Sequence, residues 1–205
     1  MSTKLRVLGN DEAASDEALM ASYQKGDLHA FEVLLTRHQK GIYNFLYRFL
    51  GHNQNTEEAF QEVFERVIRG ASSYAPTARF STWLYTIARN YCIDLSRKGR
   101  FRKTVSLDDA PSEEKALPLS ERVVSAEPNP DEIVSASNLE QKLEEALARI
   151  NPDQREVFLL RERQGLPFEE IAQIVEVSVN TVKSRMRYAL SALQNEFKKL
   201  GITDH

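Results

Sequence analysis

Apolar positions in this chain recur at intervals of three and four along two stretches, with an aperiodic stretch between them. That rhythm belongs to helices packed by one face against a core. In the first stretch, Leu19, Met20 and Tyr23 follow a start signal at Ser15, with Asp16 and Glu17 in the expected first turn. After Gly26-Asp27, the run Phe31, Leu34, Leu35, His38, Ile42, Phe45, Leu46 and Phe49 predicts a long core-facing stripe. His38 in that stripe reads as a satisfied, partly buried histidine. Asn55, with Glu58 three residues on, predicts the start of a third helix with Phe60, Val63, Phe64 and Val67 inward. A fourth, roughly 81–98, turns Leu84, Ile87, Ala88, Tyr91 and Leu95 inward, with Cys92 beside them as a small core residue. An irregular loop, 72–80, precedes it.

The second stretch opens at Asn138. Leu139, Leu143, Leu147 and Ile150 predict one helix, and Asn151-Pro152 starts another through Val157, Phe158 and Leu160 to a stop at Gly165. A short helix (168–175), a tight turn (Glu176-Val177-Ser178) and a longer helix from Val179 to Leu200 have helix-turn-helix dimensions. Val179, Val182, Met186, Leu190 and Leu193 form the expected inward stripe of the last helix. Asn180, Ser184, Arg187, Tyr188 and Ser191 fall opposite, with Lys183 beside them and Thr181 and Arg185 flanking. A packed terminal helix with a soluble face would look the same. The row also suits the major groove, where Arg and Lys donate to guanine, Asn pairs with adenine, and flanking groups hold phosphates.

Residues 100–137 differ in kind. The stretch SLDDAPSEEKALPLSERVVSAEPNPDEI is acidic, holds four prolines and shows no sustained period, a composition that argues for a tether. The expected organisation is all-α: a flexible N-terminus (1–15), a helical domain (16–99), a flexible acidic linker (100–137) and a second small helical domain (138–205).

Composition removes several function classes. No apolar run approaches the roughly 18 residues that cross a bilayer, and the N-terminus lacks the apolar region of a signal peptide, so a cytoplasmic protein is expected. Cys92 is the only cysteine, and no Cys/His cluster has zinc spacing. With no Gly-rich phosphate loop, nucleophile–base set or usefully spaced carboxylate pair, we expect no enzyme, metal, cofactor or small-molecule substrate. The net charge of −3 conceals an asymmetry: 15 Lys/Arg against 11 Asp/Glu in 1–103, 2 against 8 in 104–137, and 10 against 11 in 138–205. The local pattern therefore says more than the total. Five of the seven residues from Arg97 to Lys103 are basic, which suits either a solvated helix C-terminus or a nucleic-acid contact.

Residues 55–64, NTEEAFQEVF, place Glu58, Gln61, Glu62 and Glu65 on a polar stripe opposite Phe60, Val63, Phe64 and Val67. A solvated face reads the same way. The stretch nevertheless resembles the region 2.2 signature of sigma-70 family factors, a DAEDxxQExF pattern. FSTWLYTIARNYCID at 80–94 resembles the FxxWLxxIAxNxxxD pattern of regions 2.3 and 2.4. NPDQREVFLLR at 151–161 resembles the LPxxxREVxxLR entry to region 4, and TVKSR at 181–185 the region 4.2 helix. Four motifs in order span both blocks. The chain is identified as a member of the extracytoplasmic function (ECF) group, which has this two-block layout, with RpoE-like factors nearest. It departs from the pattern at Asn55 and Glu58, where Asp is usual, at Phe60, at Pro167 in place of a Ser or Thr cap, and at Glu176, where Gly is frequent.

The resemblance implies a sigma factor with core RNA polymerase as partner, through the β′ clamp helices and the β flap. The clamp-facing stripe would be Asn55, Glu58, Gln61, Glu62 and Glu65. It implies promoter DNA as a second partner, with the −35 element read by Asn180, Thr181, Lys183, Ser184, Arg185, Arg187 and Tyr188. At the −10 element, the 72–80 loop with Tyr74, Arg79, Phe80 and Trp83 would form a pocket for a base that has left the stack. Trp83 also reads as a core residue. Asn90 would read that base, while Arg89, Arg97, Lys98 and Arg100 hold phosphates. The acidic linker would be repelled by DNA and suits a basic polymerase channel. An anti-sigma factor is a further expected partner, and a membrane-linked one would hold the protein at the inner membrane. The alternative is a sigma-like decoy that sequesters an anti-sigma factor without binding DNA.

Overall fold

The computed structural model describes residues 14–50, 56–105 and 130–201, with side chains placed for 14–50, 56–97 and 139–201. Asn55 lies outside the described residues, as do the side chains of Lys98 and Arg100 and the linker between 106 and 129. Among the described residues the regular structure is helical throughout.

Ser15 caps α1 (Asp16–Gln24) by accepting from the Ala18 N–H at 3.2 Å, which satisfies one of the orphan donors of a helix start. The long α2 (Leu28–Leu50) follows, then α3 (Thr56–Gly70), a single tight turn at Ala71–Ser73, and α4 (Phe80–Val105). Ala30, Leu34, Ile42, Phe45 and Leu46 of α2 are buried against α1, α3 and α4. His38 is half-buried and lies 2.6 Å from the Asp16 carboxylate through Nε2, so α1 is tied to α2 by a polar pair within the apolar stripe. Cys92 is fully buried, and that burial pushes its thiol up to about 12.

The second bundle comprises α5 (Pro130–Arg149), α6 (Pro152–Phe158), α7 (Phe168–Val175) and α8 (Val179–Lys199). Asn151 caps α6 through the Asp153 N–H, and Pro152 sits in its first turn, where a missing N–H costs nothing. The last turn of α6 widens over Leu159–Arg163 before Gly165, at φ 68°, ends it.

Two details differ from the sequence expectation. Helix α4 runs through the basic cluster to Val105, and α5 begins at Pro130, so both ends of the expected 100–137 tether are helical. A proline that opens a helix and one that punctuates a linker are indistinguishable by composition. In α8 the buried stripe is Val182, Met186, Ala189 and Leu193, while Leu190 is 50% exposed. Spacings of four, three and four keep that stripe straight, and Leu190 lies about 100° round from Ala189. Pro167 occupies the cap of α7, as its place in the sequence pattern suggests, and provides no side-chain cap.

The two bundles are docked: α4 packs on α7, and α2 packs on α5 and on the widened turn. Their buried residues form one continuous apolar cluster. Gly41, in the middle of α2, marks a close approach. A Cβ there would lie 2.8 Å from Tyr85 Oη and 2.9 Å from Gln164 Oε1, so these two atoms occupy the space a side chain would need. Glycine inside a helix costs roughly 0.5–1 kcal/mol relative to alanine, and the close approach accounts for it.

Candidate nucleic-acid interface

Three surfaces carry the candidate residues. On α3, Glu58, Gln61 and Glu65 are exposed and Glu62 is half-buried, while Ala59, Val63, Phe64 and Val67 are buried. Helical spacing thus puts the polar stripe outward. Glu62 is not free: Arg66 Nε donates to it at 2.9 Å and Arg69 Nη2 at 3.1 Å. The hydrogen bond from Arg66 is the main reason its carboxyl sits below the usual carboxylate range. Glu62 is therefore an oriented anion, whereas Glu58 and Gln61 remain exposed at the start of the helix.

The 72–80 loop is pinned from below by α1. Gln24 Nε2 donates to the carbonyls of Ala71 and Tyr74 at 2.8 Å each, and Glu17 accepts the Phe80 N–H at 3.0 Å. Tyr74 and Phe80 are 7% and 1% exposed, and Tyr74 donates its hydroxyl to the Ala78 carbonyl at 3.2 Å. Their rings pack with each other and with Trp83 at centroid separations of 5.0 to 6.0 Å. In this arrangement Tyr74 and Phe80 form the floor of the loop, and Trp83, half-buried, is the ring nearest solvent. Arg79 on the loop and Asn90 and Arg97 on α4 are exposed. Arg89 is not; only 14% of its side chain is accessible.

In the helix-turn-helix, the α7–α8 turn is built on Glu176 at φ 56°, ψ 44°, a left-handed conformation that glycine adopts without strain. Val177 N–H returns to the Ala172 carbonyl at 3.1 Å. Ser178 caps α8, accepting from the Thr181 N–H at 3.1 Å. Asn180, Thr181, Lys183, Arg187 and Tyr188 are exposed, and Ser184 is half-buried. The Arg187 guanidinium lies 5.2 Å from the centroid of the Tyr188 ring. Arg185 is turned away from this row and pairs with Asp153 at 2.5 Å.

Sequence reasoning passed over a set of polar contacts between the bundles. Arg89 Nε donates to Glu156 at 2.5 Å, with only 4% of the glutamate side chain accessible. Burial pushes the Glu156 carboxyl above its usual value, and the Arg89 charge opposes that shift. Glu170 of α7 accepts from Thr82 at 2.9 Å and pairs with Arg79 at 3.2 Å. Tyr85 donates to Gln164 at 2.5 Å. On the far side Arg48 meets Glu140 at 3.0 Å and Glu144 at 3.4 Å, and Arg155 reaches the Phe49 carbonyl at 3.4 Å.

Residues 34–102 match the Sigma-70 region 2 family and residues 140–193 the Sigma-70 region 4 family. The chain is 30% identical to the ECF RNA polymerase sigma factor SigE of Mycolicibacterium smegmatis over 189 residues, spanning 92% of this chain and 66% of that one. It is also 30% identical to the ECF RNA polymerase sigma-E factor of Escherichia coli over 190 residues, spanning 92% and 97%. In fold it is similar to the sigma factor RpoE solved with the anti-sigma factor NepR from Bartonella quintana. That likeness has a TM-score of 0.65 and 24% identity, covering 82% of this chain and 96% of that one. Region 2 helices carrying the polar stripe and a region 4 helix-turn-helix thus stand in family order, and the chain belongs to the sigma-70 family of transcription initiation factors, in its ECF group.

Proposed function

We propose that this chain binds core RNA polymerase through α3, reads a −35 element with α8 and a −10 element with the 72–80 loop and α4, and promotes melting at the −10 element. The α8 face carries the proposal furthest. Its exposed row is donor-rich, its N-terminus is capped by Ser178, and its opposite side is anchored by Val182, Met186, Ala189 and Leu193. A rigid helix with that row outward can enter a major groove and hold register through its first turn. At the −10 element, Asn90 is exposed where a base leaving the stack would be met, and Arg97 lies two turns further along α4. Unstacking costs a few kcal/mol, offset by a fitted pocket and by stacking on an aromatic. Trp83 is the ring placed to supply it.

The exposed Glu58 and Gln61, with Glu62 held in one orientation by Arg66 and Arg69, make α3 the surface for the clamp helices of the polymerase. An anti-sigma factor is proposed as a partner on the strength of the similar fold solved with NepR. Run-off transcription with core polymerase on a promoter library tests the whole reading. Promoter-dependent transcripts are expected, lost in a Glu58→Ala/Gln61→Ala variant that still binds duplex DNA. Absence of transcript from every template, with retained binding to an anti-sigma factor, would instead establish the decoy.

A further inference from the structure

One short helix holds both ends of the 72–80 loop, and it does so through the loop's main chain. Gln24 Nε2 donates to the carbonyls of Ala71 and Tyr74 at 2.8 Å each, and the Glu17 carboxylate accepts the Phe80 N–H at 3.0 Å. That N–H bond is the chief reason the Glu17 carboxyl lies below its usual range. Glu17 and Gln24 both belong to α1, seven positions apart. Seven residues make two turns, so the two side chains share a face about 10 Å apart along the helix axis.

Helix α1 is itself firmly seated. Leu19 and Met20 are buried, and Asp16 pairs with Arg37 at 2.8 Å and with His38 at 2.6 Å on α2. The His38 ring in turn packs against Phe80 at a centroid separation of 5.3 Å. Between the held ends, Ala75, Pro76 and Thr77 are exposed, and the Thr77 N–H closes a turn on the Ala75 carbonyl at 2.7 Å. A loop of small exposed residues moves readily unless it is tied down. A base pocket, however, selects well only when its walls stand in place before the base arrives. Because the bonds from α1 go to carbonyl and N–H groups, they fix the path of the loop and leave its exposed side chains free to differ.

We propose that Glu17 and Gln24 are positioning residues for base recognition: α1 sets the separation of the two ends of the loop, and through it the opening that admits an unstacked −10 base above Tyr74, Phe80 and Trp83. The proposal rests on the reading of the 72–80 loop as a −10 pocket. Neither residue need touch DNA; each acts through the loop.

The test uses holoenzyme reconstituted from core polymerase and the full chain. Its templates are one promoter selected from the library and every single-base substitution of its −10 and −35 elements. The readout is base preference, the ratio of run-off transcript from the best base to that from each of the other three. Gln24→Met keeps the length and helix propensity of the side chain and removes the donor. Glu17→Ala removes the acceptor, and Glu17→Gln keeps one. Gln24→Met and Glu17→Ala should each lower the preference at a −10 position by roughly two- to tenfold, the order of one ordinary hydrogen bond's net effect. Preference within the −35 element should stay as in wild type, and Glu17→Gln should restore the −10 preference. A merely structural role for α1 would reduce the folded fraction, lowering transcripts from all templates in proportion and leaving every ratio unchanged. That outcome overturns the positioning role, as does a loss in Glu17→Gln as large as in Glu17→Ala. Wild-type transcription that is absent, or indifferent to every −10 substitution, removes the pocket reading itself and the proposal with it. Should Glu17→Ala fail to fold, Gln24→Met, at an exposed helix end, carries the test alone.

Discussion

Replacing Glu176 by glycine should stabilise this protein, and the size of the gain follows from one backbone angle. Glu176 ends α7 at φ 56°, ψ 44°, and is the one non-glycine residue with positive φ among those described. The left-handed region costs an L-residue roughly 1–2 kcal/mol because Cβ crowds the following carbonyl. Glycine has no such cost but gives up more freedom on folding, roughly 0.5–1 kcal/mol. The side chain is exposed and makes no hydrogen bond or ion pair among the described residues, so nothing else is lost. A net gain of about 0.5–1 kcal/mol remains, which for a chain of this size raises Tm by roughly 1–4 °C. A second effect must be separated, because a glutamate at a helix C-terminus opposes the helix dipole by about 0.3–1 kcal/mol. Glu176→Ala removes that charge and keeps the strained Cβ. Urea titrations of the three proteins at low and high salt should rank glycine above alanine, with the alanine gain fading in salt and the glycine gain falling by the same amount to a salt-independent remainder. Equal gains for the two variants would refute the backbone argument.

Ser178→Ala removes the cap of α8 and should cost about 1 kcal/mol, read as a lower urea midpoint with an unchanged slope. Arg187→Ala should weaken binding to a selected −35 duplex by about 1–3 kcal/mol and relax preference at one base position. Arg185→Ala removes the pair with Asp153 and no member of the exposed row, so the same duplex titration should show affinity and base preference unchanged. Acid should destabilise the first bundle through Asp16, whose carboxyl lies below its usual value chiefly because of the His38 hydrogen bond, and Glu17, lowered chiefly by the Phe80 N–H. Depressed carboxyls lend stability that is present above their unfolded values and lost as pH falls through their folded ones. Asp16→Asn should therefore flatten the fall in urea midpoint below about pH 4, and an unchanged slope would count against the assignment.

The helices were legible because one-sided burial leaves a period that survives in a single sequence, and caps such as Ser15, Asn151 and Ser178 mark their starts. The inward choice between Ala189 and Leu190 was not legible, since both are apolar neighbours and only the partner helices decide between them. Tyr74 and Phe80 read as pocket residues from the motif, yet as rings of a packed cluster they are floor. The largest omission is the set of contacts between bundles. Glu156 lies 67 positions from Arg89, and a glutamate on a helix reads as solvated unless its surroundings are known. One hint was available: Gly41 interrupts an otherwise continuous α2 stripe, and an unforced glycine in a helix signals a close neighbour.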